Sequence, residues 1–399
     1  MIKKSLLITS LVISSSFSLG LDDIVHSTFN ESYDLQKLEK SIAIADQDVA
    51  LAKTWSNPVL SIGANDVQFN DTFSRDKEPM QATYVAITQL IPINGKLDYE
   101  TQIASENKKI AQMDLENKKL KLASLIYQYG YESIITQKKL ELLQRYEQNT
   151  QELETIALSL YENSKVKQVF PLQVQLLNSK LQLQKENLNF RLKSLVLKLE
   201  QITYKKDLKL DETLSIDTPY EVIQNLSEHP VIKSIEYAKG KFDTLAKLEN
   251  AKKYSDLKVS LGYFARDAKY TDYVNLSFSM PLPLYGRENI NVAKAKYQSA
   301  MQEDELEKTK IEFENNFLIL KQQMQKSYAN YKNLSTSIIP QREYIQQNLE
   351  SHNALGHANS AELLTNINEI ISLEILSLDE LENYFSAYAK IKYFTGTVQ

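Results

Sequence analysis

From Lys96 to Asn163 the chain runs 68 residues without a proline and with a single glycine, Gly130. Apolar residues recur at Leu115, Leu122, Ile126 and Tyr129, then at Ile135, Leu142, Tyr146, Leu153, Ile156 and Leu160. Those spacings mix steps of three, four and seven, the period of a helix with one apolar stripe. A continuous helix over that stretch would be about 100 Å long at ~1.5 Å per residue. No globular core is that long, so the stripe must face other helices in a bundle or tube. Composition agrees: nine Gly and nine Pro in 399 residues, with 24% charged, is the profile of extended helix rather than of many short elements.

The chain also repeats itself. "ITQLIPINGKLD", residues 87–98, returns as "FSMPLPLYGREN", residues 278–289, with Pro92 answering Pro283, Gly95 answering Gly286 and Lys96 answering Arg287 at an offset of 191. "NPVLSIG" at 57–63 matches "DLKVSLG" at 256–262, an offset of 199 that also sets Asn30 on His229. "SKVKQVFPL" from Ser164 parallels "GHANSAELL" from Gly356. The sequence therefore reads as one unit used twice, helix, strand, strand, very long helix, returning helix. Its expected parts are a first repeat over 21–203, a turn-rich linker over 204–219 and a second repeat over 220–399.

The strand pairs alternate. Leu60, Ile62 and Ala64 oppose Ser61, Gly63 and Asn65, while Val85, Ile87 and Ile91 oppose Tyr84, Ala86 and Thr88. Leu257, Val259, Leu261 and Tyr263 oppose Lys258, Ser260 and Gly262; Val274, Leu276, Phe278 and Met280 oppose Tyr273, Asn275, Ser277 and Ser279. Each strand is expected to run about ten residues, enough to cross a bilayer when tilted. Four strands cannot close a barrel, so a membrane reading requires several copies. Pro171 is expected in the first turn of the returning helix, and Pro340 to kink the second long one.

The first twenty residues, with Lys3, Lys4, an apolar run from Leu6 to Ile13 and small residues before Leu21, read as a secretory signal peptide, residues 1–20. Without those two lysines, 44 basic residues face 51 acidic ones, a charge near −7. Such a chain lacks the basic patch that nucleic acid requires. Zero cysteine excludes disulfides, thiolate metal sites, cysteine catalysis and an acylated cysteine after the signal. The four histidines have no zinc-ligand spacing, "INGK" lacks the spacing of a phosphate loop, and the methionines are scattered. No enzymatic constellation and no cofactor is expected.

Signal peptide, tandem units, the "P-x-x-G-[KR]" joint and the "HP" of His229 and Pro230 together resemble the TolC family of outer-membrane efflux channels over essentially the whole of 21–396. The resemblance implies a mainly α fold with a small β part, in which a homotrimer gives a twelve-stranded β-barrel in outer-membrane lipid, continuing into a long α-helical barrel. It implies an exit duct for small solutes, docking a periplasmic adaptor and an inner-membrane transporter of the RND type. "W-x-N-P" at Trp55 to Pro58 and the length resemble the compact heavy-metal efflux branch. The resemblance places adaptor-facing tips at Asn163, Ser164, Lys165 and Val166, and at Leu355, Gly356, His357 and Ala358. It places a pore gate at Glu362 and Thr365, where Thr365 departs from the acidic residue the family often uses, as does Phe170 at the first-unit equivalent of Glu362. Pro92, Gly95, Pro283 and Gly286 would be the strand-to-helix joints. Alternatives are the exit duct of a type I secretion system, or a soluble periplasmic coiled-coil adaptor or structural protein. An adaptor, though, would carry one hairpin and a separate β-rich domain.

Overall fold

A computed structural model of the chain describes residues 20–396 apart from 71–74, 209, 211–213, 215, 217–225 and 355–359. Residues 1–19 of the signal segment, half of the linker and the tip residues Leu355, Gly356, His357 and Ala358 therefore lie outside the described residues. The chain divides into two units, one drawn from 1–35, 118–226 and 313–399, the other from 36–117 and 227–312. Each unit draws on both sequence repeats.

The described elements of the first unit are helices, three of which continue into the second unit. Helix α1 (Leu21–Glu31) buries Leu21, Ile24, Val25 and Thr28, one stripe at helical spacing. It ends at Ser32, whose extended backbone breaks the helix and whose Oγ accepts from Leu35 N at 3.4 Å, starting α2 (Tyr33–Ala52). The long helix α3 (Lys96–Glu162) has 67 residues, and α4 (Val169–Thr203) returns with Pro171 in its first turn. The lone glycine of α3 has a packing reason. A Cβ on Gly130 would fall 2.3 Å from Leu21 Cδ2, so the absence of a side chain lets α1 seat against α3.

The second long helix, α6 (Arg287–Asn333), passes through a π turn at Leu334–Ile338 into α7 (Ile339–Ala354), and α8 (Ser360–Thr395) follows. The irregularity expected from Pro340 takes the form of that π turn, which widens the coil just where the proline ring would strike the preceding carbonyl. Leu143 and Ala157 of α3, Phe170, Val174, Leu177 and Leu181 of α4, and Leu364 and Ile371 of α8 form one buried cluster. Each large aliphatic or aromatic side chain there contributes about 1.5–3 kcal/mol through burial. Farther along α8, Phe385 packs on Tyr131 with ring centres 4.8 Å apart.

A charged clamp joins three of these helices. Lys139 of α3, almost fully buried, reaches Asp379 Oδ1 at 2.5 Å and Glu382 Oε2 at 2.7 Å on α8, and Arg191 of α4 pairs with the same Glu382.

The second unit holds the sheet. Strands β1 (Val59–Asn65), β2 (Ala82–Ile91), β3 (Leu257–Ala265) and β4 (Tyr273–Ser279) pair antiparallel in that order, without closure. Their lengths of seven, ten, nine and seven residues fall at or below the expected ten. β1 stops where Asp66 turns left-handed (φ 55°), and β4 stops two residues before Pro281, which has no N–H to give. Helix α5 (Pro230–Ala251) explains the "HP" pair: buried His229 is the N-cap, its Nδ1 accepting from Val231 N at 3.2 Å, with Pro230 at the first helical position.

Candidate functional site

Register gives the sheet two unlike faces. Leu60, Ile87, Leu261 and Leu276 stand opposite one another across all four strands, and Ile62, Val85, Tyr263 and Val274 form the next row. Every member of both rows is exposed, Ile62 at 78%. Exposed apolar faces of this breadth mark a protein or membrane contact.

The opposite face carries most of the sheet's hydroxyl, amide and glycine residues, with aromatic rings, a few aliphatics and Lys258 among them. Thr88 Oγ1 donates to Ser260 Oγ at 2.9 Å, and Ser277 continues that row. Tyr84, Phe264 and Tyr273 stack side by side, with ring centres 5.1 and 4.8 Å apart. Gly63 lies under Tyr84, where a Cβ would come within 2.7 Å of the phenol oxygen. At the sheet's margins β1 and β4 each have a neighbour on one side only. Among the described residues no helix is long and apolar enough to cross a membrane.

At both joints the same backbone device turns strand into helix. Gly95 and Gly286 each have φ +70°, a conformation that costs an L residue about 1–2 kcal/mol. The carbonyl of Gly95 accepts from Asp98 N and Tyr99 N at 3.1 Å. That of Gly286 accepts from Asn289 N at 3.1 Å and Ile290 N at 3.3 Å. Each glycine thus starts its long helix.

The side chains after the glycines differ. Lys96 is 6% exposed and donates from Nζ to Tyr254 O at 2.5 Å and Asp256 Oδ1 at 2.6 Å. Asp256 Oδ1 also accepts from Ile93 N at 3.2 Å. Arg287 is exposed and makes no ion pair or side-chain hydrogen bond among the described residues. A cavity of about 730 Å³ at this end of the sheet is lined by Trp55, Asn57, Pro92, Lys96, Asp256 and Pro283 among others. Nothing in the sequence pattern pointed to the Lys96 contact, because its partners lie about 160 residues away.

The first tip turn is a Schellman closure of α3. Lys165 N donates to Leu160 O at 2.8 Å and Ser164 N to Tyr161 O at 2.9 Å, with Ser164 left-handed at φ 57°. Asn163 Nδ2 adds a bond to Ser159 O at 2.8 Å. Val166 packs against the buried cluster, while Asn163, Ser164 and Lys165 point outward. Beside that cluster, burial and then a hydrogen bond to Glu374 hold the Tyr146 phenol above its ordinary range.

Glu362 lies exposed in the first turn of α8 and Thr365 is exposed one turn on, its Oγ1 donating to Ala361 O at 2.9 Å. Phe170 instead packs inside the chain, in contact with the cluster that includes Leu364. Among the described residues no group of three or more His, Asp or Glu gathers as a metal site.

No family model matches this sequence, and no curated protein matches it. Solved structures do. The Campylobacter jejuni CmeC outer membrane channel superimposes with a TM-score of 0.78 at 14% identity, over 94% of this chain and 85% of that one. The outer-membrane channel OprN gives 0.80 at 13%, over 94% and 90%. The open state of the Neisseria gonorrhoeae MtrE outer membrane channel gives 0.78 at 13%, over 97% and 93%. Mainly helical with one small antiparallel sheet, this chain has the fold of those channels.

Proposed function

We propose that the chain is an outer-membrane channel, a homotrimer in which each copy gives four strands to a closed barrel and its long helices to a periplasmic tube. The observation that carries this reading is the sheet: one broad apolar face with two exposed rows, one hydroxyl-lined face, and two edge strands with no partner among the described residues. Exposed edges invite pairing with another copy. Alternation of apolar and polar faces suits lipid outside and water within. The soluble adaptor reading leaves that apolar face without an environment.

In this reading the channel is the exit duct of a tripartite efflux system. The turn at Asn163 to Val166, and the second expected tip at Leu355 to Ala358, meet a periplasmic adaptor coupled to an inner-membrane transporter of the RND type. The cargo is a small solute, a drug or a heavy-metal cation. Glu362 supplies one carboxylate per copy to a ring at the periplasmic mouth, where three like charges would attract cations and repel one another. The channel reading is tested by fractionation and bilayer recording. The protein should require detergent for extraction, run as an oligomer and conduct in planar bilayers. Recovery as a monomer in the detergent-free periplasmic fraction would sink it.

A further inference from the structure

The duplication carries information about a contact that a single chain cannot make. Within the chain, β2 of the first repeat pairs with β3 of the second, and Lys96 at the end of β2 reaches the segment leading into β3. By the offsets of 191 and 199, β4 is the second-repeat equivalent of β2, and β1 the first-repeat equivalent of β3. The edges left unpaired are therefore β4 and β1, the same two surfaces in the other order.

We propose that β4 of one copy pairs with β1 of the next copy in the register that β2 already uses with β3, and that Arg287 takes the seat at Trp55 and Asn57 of the next copy that Lys96 takes at Tyr254 and Asp256. The inference rests on the oligomeric-barrel reading above and adds its register and its locking residue. Ile87 opposite Leu261 translates to Phe278 opposite Ile62, and Ala86 opposite Gly262 to Ser277 opposite Gly63. Thr88 opposite Ser260, a hydroxyl pair bonded at 2.9 Å, translates to Ser279 opposite Ser61, again a hydroxyl pair.

The translated register keeps Leu276 and Phe278 on the same face as Ile62 and Ala64, whereas a one-residue slip would set apolar against polar. Pro281, at the equivalent of Leu90, ends the ladder earlier than in the β2–β3 pair. Arg287 arrives with a fork of donors and finds Asn57, whose side chain makes no hydrogen bond among the described residues and whose amide oxygen replaces the Asp256 carboxylate. By the same offset of 199, the Trp55 carbonyl is the counterpart of that of Tyr254.

The chain has no cysteine, so engineered pairs report without background. Directly opposed residues lie about 4.5–5.5 Å apart at Cα, within disulfide reach, while a two-residue slip moves them to about 7–8 Å. Ser61→Cys with Ser279→Cys in one detergent-solubilised full chain should oxidise to covalent oligomers. Val59→Cys with Ser279→Cys, and Gly63→Cys with Ser279→Cys, should give at least about tenfold less.

Separately, Arg287→Asp should weaken the assembly, and adding Asn57→Arg to that variant should restore it. An assembly that cross-links best through a slipped pair, or through none of the three, overturns the register while leaving the channel reading intact. Failure of Asn57→Arg to restore the Arg287→Asp assembly overturns the Arg287 seat. A wild-type chain that sediments only as a monomer in mild detergent overturns both the channel reading and this one.

Discussion

Leu276 and Ser277 are neighbours at the middle of β4 and point to opposite faces of the sheet, and both are exposed in the chain. Exposure alone assigns arginine at either position the same small cost, within about 0.5 kcal/mol. The membrane reading separates them. Nine residues of β3 rise about 3.4 Å each, and tilted by about 40° they cover about 23 Å, close to the ~25 Å apolar band of a membrane barrel. Leu276 lies opposite Leu261, the central residue of β3, so it sits near the bilayer midplane. Arginine there should cost about 2–4 kcal/mol, roughly 30- to 1,000-fold in the folding equilibrium. Ser277→Arg, facing the lumen, should change stability by about 0.5 kcal/mol or less. Urea titration of protein folded into lipid vesicles measures both. Equal responses of the two variants, at either magnitude, would refute the assignment of lipid to the Leu276 face.

Other substitutions test other joints of the structure. Gly95→Ala and Gly286→Ala meet no steric obstacle within 3.4 Å but must hold φ +70°, so each should destabilise by about 1–2 kcal/mol in thermal or chemical unfolding. Lys139→Met strips the clamp and leaves Glu382 largely buried beside Arg191 alone; a loss of about 3 kcal/mol is expected, and a neutral result would show the clamp to be replaceable by packing. Ser164→Gly should stabilise the first tip turn by about 0.5–1 kcal/mol, read as slower proteolytic nicking there. Glu362→Gln should reduce cation preference in bilayer recordings, and unchanged selectivity would remove Glu362 from the gate.

Much of the fold is legible in the sequence because it rests on local periodicity. Strand faces follow from alternation, which is why the partition of Leu60 and Ile62 from Ser61 and Gly63 appears unchanged in the sheet. The 67-residue helix follows from an unbroken stripe, and the chain's fold class with it. What depends on distant partners is not legible. Lys96 looks like any lysine after a glycine until Tyr254 and Asp256 arrive from the other repeat. Gly130 looks like a weak point in a helix until Leu21 lies over it. Ser164 carries no glycine to mark a left-handed turn, so the closure of α3 shows only in its hydrogen bonds. Pro340 marks an irregularity, but whether it becomes a bend or a π turn depends on how the neighbouring helices accept it.

The hydroxyl-lined face of the sheet contains one charged side chain, Lys258, among the described strand residues; the rest is serine, threonine, asparagine, glycine, a few aliphatics and a run of stacked aromatic rings. In the homotrimer proposed above Lys258 would recur three times, so this face would carry one ring of positive charge in an otherwise uncharged wall. If these strands line the duct proposed above, any sorting by sign along them falls to that single ring, and the rest of the wall passes cations and anions alike.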